Sequence, residues 1–123
     1  MKEKKAILVI EDDLNIRDLI ETFLSKNGFV TVGVETAEQG IAKIASLKPA
    51  LILLDIQLKD DLDGMAVLKR TKEKLSPHSK VVMVSGHKDE YEKNSYQLGA
   101  VEFWKKPILP NEVVERIKKI LSA

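Results

Sequence analysis

Four side chains in this sequence have the types and placement to handle a phosphoryl group. Asp55 ends the aliphatic run Leu51-Ile52-Leu53-Leu54, Glu11 and Asp12 follow Ile7-Leu8-Val9-Ile10, and Lys106 follows the hydrophobic segment Val101 to Trp104. Each run reads as a buried strand, so each charged group stands at a strand exit. In an open parallel sheet, ligands bind outside the carboxyl ends of the strands, where the strand order reverses. Glu11, Asp12, Asp55 and Lys106 are then expected to meet in one crevice, where three negative charges against one positive leave a formal minus two. Such a cluster repels itself until one acid takes a proton or a divalent cation neutralises it. An all-oxygen donor set suits Mg²⁺, which binds through one or two carboxylates, waters and phosphate oxygens. Taken singly, these residues have plainer readings. An adjacent pair such as Asp12-Asp13 is equally a helix cap, and a lone lysine is usually solvated. Their conjunction at strand exits is what predicts a Mg²⁺ and phosphoryl site.

The elements that must position them alternate regularly, with no internal repeat or low-complexity tract. Residues 6–10 read as a first strand. Residues 14–27 place Ile16, Leu19, Ile20, Phe23 and Leu24 at helical spacing, and Gly28 stops that helix. Phe29 to Val34 reads as a second strand. Thr36 with Gln39 forms a capping box for a helix that buries Ile41, Ile44 and Leu47 and ends at Pro49. Residues 51–54 form the third strand. A third helix begins near Met65, Val67 and Leu68 and fades near Leu75, and Lys80 to Val84 forms the fourth strand. A fourth helix over roughly 88–98 has only Tyr91, Ser95 and Leu98 as an inner stripe. Residues 100–104 make the fifth strand. Pro110 suits the first turn of a last helix, whose Val113, Val114, Ile117, Ile120 and Leu121 form an apolar face. Five strands alternating with five helices imply an α/β fold with a parallel sheet covered on both faces.

Composition narrows the function classes. A chain of 123 residues suits one domain, expected over 1–123, and is long enough to bury a core. A net charge of +1 gives no basis for a nucleic-acid-binding surface. No apolar run approaches the roughly 20 residues of a membrane span. The charged start is followed by no signal-peptide pattern, so a cytoplasmic location is expected. The absence of cysteine excludes thiolate metal sites.

At the level of motifs the chain resembles the response-regulator receiver domains of bacterial two-component signalling, of which the chemotaxis regulators are a stand-alone form. The resemblance spans residues 6 to 121. It rests on Ile7-Leu8-Val9-Ile10-Glu11-Asp12, Leu53-Leu54-Asp55, Asp63-Gly64, Val82-Met83-Val84-Ser85-Gly86 and Phe103-Trp104-Lys105-Lys106-Pro107. Each piece alone is weak. Five in this order and at these intervals are specific. The resemblance implies a three-layer, doubly wound (βα)5 sheet of flavodoxin-like type with strand order 2-1-3-4-5.

It further implies that Asp55 accepts a phosphoryl group from the phosphohistidine of a sensor kinase or phosphotransfer protein. Glu11, Asp12, Asp55 and the backbone carbonyl of Gln57 would hold Mg²⁺. Ser85 and Lys106 would contact phosphoryl oxygens, Phe103 would be the aromatic switch, and Lys106-Pro107 is a candidate cis peptide. The output surface would lie on helix 4, strand 5 and helix 5, around Tyr91, Ser95, Lys105 and Arg116. A downstream effector domain or protein, or a phosphorylation-dependent dimer, would use it. The resemblance implies neither direct nucleic-acid binding nor a membrane contact, and no catalysis beyond self-phosphorylation and slow autodephosphorylation.

Several residues depart from the family pattern or invite other readings. Lys59 stands where many members have proline, Asp63-Gly64 lies one residue late, and Gly86 replaces a common alanine. Asp60, Asp61 and Asp63 look like a calcium loop, but Lys59 and the missing terminal glutamate favour a solvated turn. His78 and His87 lack metal-ligand spacing. Trp104 is expected to pack. Two rival classes remain: an aspartyl phosphohydrolase, which Gln57 in place of a second aspartate disfavours, and an unphosphorylated interaction module, which the intact acids, Ser85 and Lys106 disfavour.

Overall fold

In the computed structural model, residues 5–58, 64–72, 79–86 and 91–122 are described. Strand and helix alternate throughout: β1 (Ala6–Ile10), α1 (Leu14–Lys26), β2 (Val30–Val34), α2 (Ala37–Leu47), β3 (Leu51–Asp55), α3 (Gly64–Thr71), β4 (Lys80–Ser85), α4 (Glu92–Gln97), β5 (Glu102–Lys105) and α5 (Pro110–Ser122). The five strands form one parallel sheet in the order β2-β1-β3-β4-β5. The expected doubly wound architecture is therefore the observed one. Lys59, Asp60, Asp61, Asp63, His78 and His87, the tail expected for the third helix and the start expected for the fourth lie outside the described residues.

Alternation along the central strands sorts their side chains into two cores. Ile7, Val9, Leu51, Leu53, Val82, Val84 and Trp104 face α1 and α5, where Leu24, Val113 and Ile117 complete one cluster. Leu8, Ile10, Ile52, Leu54, Val81 and Met83 face the opposite way, joined by Ile44, Val67 and Leu68. Because both faces are covered, β3 buries all five of its residues, Asp55 included. Fully burying one such aliphatic side chain contributes about 1.5–3 kcal/mol. Four in succession can offset the several kcal/mol that burying one paired carboxylate costs.

Local signals account for most element ends. Asp13 caps α1, its carboxylate accepting from the Ile16 N–H at 3.1 Å, so the acidic pair divides its labour and Asp12 is left for the crevice. The Thr36–Gln39 capping box opens α2. Gly28, at φ 91°, takes the left-handed turn out of α1. Two expectations need correction. Ile16 and Leu19 are 39% and 48% exposed rather than inside, because only Ile20 and Leu24 of α1 are turned fully into the core. The fifth strand starts at Glu102 rather than 100. Ala100 is buried but Val101 faces solvent, and pairing with β4 begins at Val82–Glu102.

The start of α3 is pressed directly against the end of β3. The Gly64 N–H donates to the Ile56 carbonyl at 2.9 Å. A Cβ on Gly64 would fall against the Asp55 carbonyl oxygen and 2.7 Å from the Ile56 Cα, both backbone atoms that cannot rotate away. Gly64→Ala is therefore expected to destabilise the protein by about 1–3 kcal/mol, as overpacking does. Denaturant unfolding measures it, and an unchanged midpoint would mean that the helix start moves freely away from Asp55.

Candidate functional site

Backbone pairing continues one residue past the strands and delivers each charged group to the same edge. The Glu11 N–H donates to Val34 O at 3.0 Å, the Ile56 N–H to Val84 O at 2.9 Å, and the Lys106 N–H to Ser85 O at 2.8 Å. Strands β1 and β3 are neighbours, so the chain order reverses between the very strands that carry the acids. Carboxylate oxygens of Glu11, Asp12 and Asp55 all lie within 4.8 Å of one another. The Lys106 Nζ is 2.9 Å from Asp55 Oδ2 and 3.4 Å from Glu11 Oε1. Asp55 Oδ1 accepts from the Gln57 N–H at 3.1 Å, so the Asp55 carboxylate is pinned at both oxygens. Glu11 Oε2 accepts from the Asp13 N–H at 3.2 Å, and Arg17 Nη1 donates to the Glu11 carbonyl at 2.8 Å.

The electrostatics follow from crowding. Burial, then the adjoining Asp55 carboxylate through hydrogen bonding and charge, raises the Glu11 carboxyl above the ordinary carboxylate range, against the pull of the Asp13 N–H and Lys106. Burial alone would lower Lys106, but Asp55 and then Glu11 outweigh it and hold the ammonium above its usual value. The crevice thus holds an excess of negative charge that one lysine does not cancel. Clustered carboxylates, all oxygen and partly buried, fit a hard divalent cation such as Mg²⁺.

Around this cluster the other predicted residues take distinct places. Ser85 is fully buried at the end of β4. Phe103 is half-buried against the core facing α2 and α3, and Trp104 is buried in the opposite core, with its Nε1 donating to Glu102 Oε1 at 2.7 Å. The Lys106–Pro107 peptide bond is cis. Ser95 was expected on the output surface but is fully buried, its Oγ donating to the Tyr91 carbonyl at 2.8 Å. Its place on the inner stripe of α4 removes it from any contact surface, whereas Tyr96, Lys105 and Arg116 are exposed there. Three participants were not anticipated from sequence: Arg17 on the Glu11 backbone, Gly64 behind Asp55, and the Gln57 side chain, which reaches Ser85. Only the Asp63-Gly64 motif carried a signal for one of them.

A cavity of about 470 Å³ opens beside the acids, walled by Ile16, Leu19 and Ile20 of α1 and by Pro107, Ile108 and Pro110 beyond Lys106. Glu11, Asp55 and Lys106 form its polar end. Ile16 and Leu19, 39% and 48% exposed, form the solvent side of its apolar wall.

Comparison with known proteins agrees with this geometry. A family model described as the response regulator receiver domain matches residues 7–118. The alkaline phosphatase synthesis transcriptional regulatory protein PhoP of Bacillus subtilis is 32% identical over 118 residues, covering 95% of this chain and 48% of that protein. The DNA-binding transcriptional regulator NtrC of Salmonella typhimurium is 29% identical, over 98% of this chain and 25% of its own length. The chain therefore spans a half or less of these curated relatives. Among solved structures, a CheY-like response regulator receiver domain protein from Methanospirillum hungatei superposes with a TM-score of 0.89 at 33% identity, covering 98% of this chain and 95% of that one.

Lys106 and a divalent cation would draw on the same Asp55 and Glu11 oxygens. Replacing Lys106 with methionine removes the competing charge and leaves the three acids unopposed. Lys106→Met is expected to bind Mg²⁺ more tightly, by on the order of tenfold, in a calorimetric titration. Weaker binding would show that Lys106 organises the carboxylates rather than competing for them.

Proposed function

The chain belongs to the response regulator receiver domain family, whose members are regulatory phosphoacceptor domains, and from that premise we propose that Asp55 is its phosphoacceptor. The observation that carries this is the setting of Asp55. It is the one buried aspartate among the described residues, held by Lys106 and the Gln57 N–H, with Glu11 and Asp12 alongside. Glu11, Asp12, Asp55 and the Gln57 carbonyl would hold Mg²⁺. When bound, the ion supplies charge neutralisation, so that an anionic donor can approach the acids.

The proposed donor is a phosphohistidine on a sensor kinase or phosphotransfer protein. The phosphorus–nitrogen bond breaks as a bond forms between phosphorus and an Asp55 oxygen, and the imidazole leaves with the electron pair and takes up a proton. The protein contributes positioning and charge rather than covalent chemistry of its own. Its donor is best seated on Ile16 and Leu19, exposed apolar residues that line the same cavity as Asp55. Water would later hydrolyse the acyl phosphate slowly, with no enzyme activity toward other substrates.

Phosphorylation takes Asp55 from one negative charge to about two. Ser85 and Lys106 are the groups placed to respond, and both are tied to β5, because the Lys106 N–H is bonded to the Ser85 carbonyl. Movement of Ser85 would free space for Phe103 and shift α4, a helix of 6 residues whose N-cap Tyr91 makes no side-chain cap bond. The surface this changes, on α4, β5 and α5 around Tyr91, Lys105 and Arg116, is the one proposed for a downstream effector or a second copy of the chain.

Two outcomes are expected. Incubation with acetyl phosphate and Mg²⁺ should add one phosphoryl mass, lost on chelation of the metal and in Asp55→Asn; undiminished labelling of that variant would remove Asp55 from the role. Amide exchange with and without beryllofluoride should change most over Ser85–Gly86 and Tyr91–Lys106. Changes restricted to residues 55–58 and 64–72 would place the output beside α3 instead.

A further inference from the structure

The phosphoacceptor reading gives Gln57 only a backbone role, yet its side chain spans the gap between β3 and β4. Its Nε2 lies 3.0 Å from Ser85 Oγ, its Oε1 lies 3.2 Å from the same hydroxyl, and the Gly86 N–H donates to Oε1 at 3.2 Å. The backbone amide of Gly86 can only donate, which fixes the carboxamide with its oxygen toward Gly86. Oε1 is thus an acceptor shared between a hydroxyl and a backbone N–H at the end of β4. That end borders the site directly, because Val84 pairs in register with Asp55 and Ser85 follows it.

An oxygen facing those two donors is what a phosphoryl group on Asp55 would itself present. We infer that the Gln57 carboxamide is an internal stand-in for a phosphoryl oxygen, occupying the Ser85 O–H and Gly86 N–H in the resting protein. The inference rests on the phosphoacceptor reading and adds a regulation to it. Phosphorylated Asp55 engages Ser85 only by displacing Gln57. The exchange runs toward the phosphoryl group, because hydrogen bonds to an ionised oxygen are roughly twice as strong as those to a neutral one. The displaced bonds still subtract from the gain, so the switch answers to a full negative charge and resists weaker provocation. A longer or shorter residue at this position would set a different threshold without touching the acids or the lysine.

Gly86 helps the exchange. Among the described residues, nothing lies within 4 Å of where a Cβ on it would stand, so the carboxamide leaves past a backbone without a side chain.

The test uses the whole chain and beryllofluoride with Mg²⁺ as the phosphoryl probe. Gln57→Met keeps the length of the side chain and removes the carboxamide. Gln57→Asn keeps the carboxamide and withdraws it by one methylene, so polarity is separated from reach. Both variants should bind beryllofluoride about three- to tenfold more tightly than the parent, the yield of losing one or two neutral competing bonds. In both, the Gly86 amide proton should move upfield before any ligand is added, which reports loss of its bond to Oε1, while tighter beryllofluoride binding is the readout that a merely structural role would not produce. Equal or weaker binding in both variants, with the parent binding normally, overturns the inference alone. A parent chain that takes up no beryllofluoride with Mg²⁺ overturns the phosphoacceptor reading, and with it the competition proposed for Gln57.

Discussion

The structure depends on keeping a charged carboxylate at the dry end of its central strand. Asp55 is 3% exposed, and a buried acid of this kind is tolerable only if it is paired and hydrogen-bonded. The Gln57 N–H, two residues along the chain, and Lys106, brought near only by the fold, provide that pairing. Lys106 arrives from the far side of β4, placed by its own backbone bond to Ser85. The sheet order and the ion pair therefore require each other. A different arrangement of the same strands would leave Asp55 buried without its cation.

That pairing is deliberately incomplete in charge. Two more carboxylates gather beside the one ammonium, and burial, then the adjoining Asp55, raises the proton affinity of Glu11. The aliphatic cores on both faces of the sheet supply the stability that tolerates it, because β1, β3 and β4 are almost wholly buried. A site that is uncomfortable alone is one whose balance a cation or a phosphoryl group changes strongly. Among the described residues, three carboxylates gather here around one ammonium.

Much of this was legible in the sequence because the signals were local and redundant. Aliphatic runs of strand length named β1, β3 and β4, the Thr36–Gln39 pair named the start of α2, and the charged residue after each run named the crevice. Less visible were features that depend on what lies across a gap. Helical spacing put Ile16 and Leu19 on the apolar face of α1, but whether that face is covered depends on the segment after Lys106, which leaves a cavity there. The period of α4 placed Ser95 inside correctly, yet the same residue was also expected on a contact surface, and burial decides between the two. The Gln57 side chain carried no signal of its own, since the resemblance used only its backbone carbonyl. A glutamine after a strand reads as a solvated loop residue, and only the 3.0 Å approach to Ser85 shows otherwise.

The two halves of the site differ in how firmly they are built, and under the proposed phosphorylation of Asp55 that difference would set the direction in which a signal travels. Toward β1 and α1, Glu11 is fixed by Asp13, Arg17 and the β2 carbonyl, and α1 is capped and 13 residues long. Toward β4 and β5, Ser85 is held to Gln57 by a flexible side chain, and α4 is one short helix without a side-chain cap. Charge added between them meets a rigid wall on one side and an exchangeable set of neutral hydrogen bonds on the other. Displacement goes to the side whose contacts cost less to replace. If Asp55 is phosphorylated as proposed, the asymmetry of hydrogen bonding around it, more than the identity of any one residue, would turn a local change of charge into a change of shape on α4 and β5.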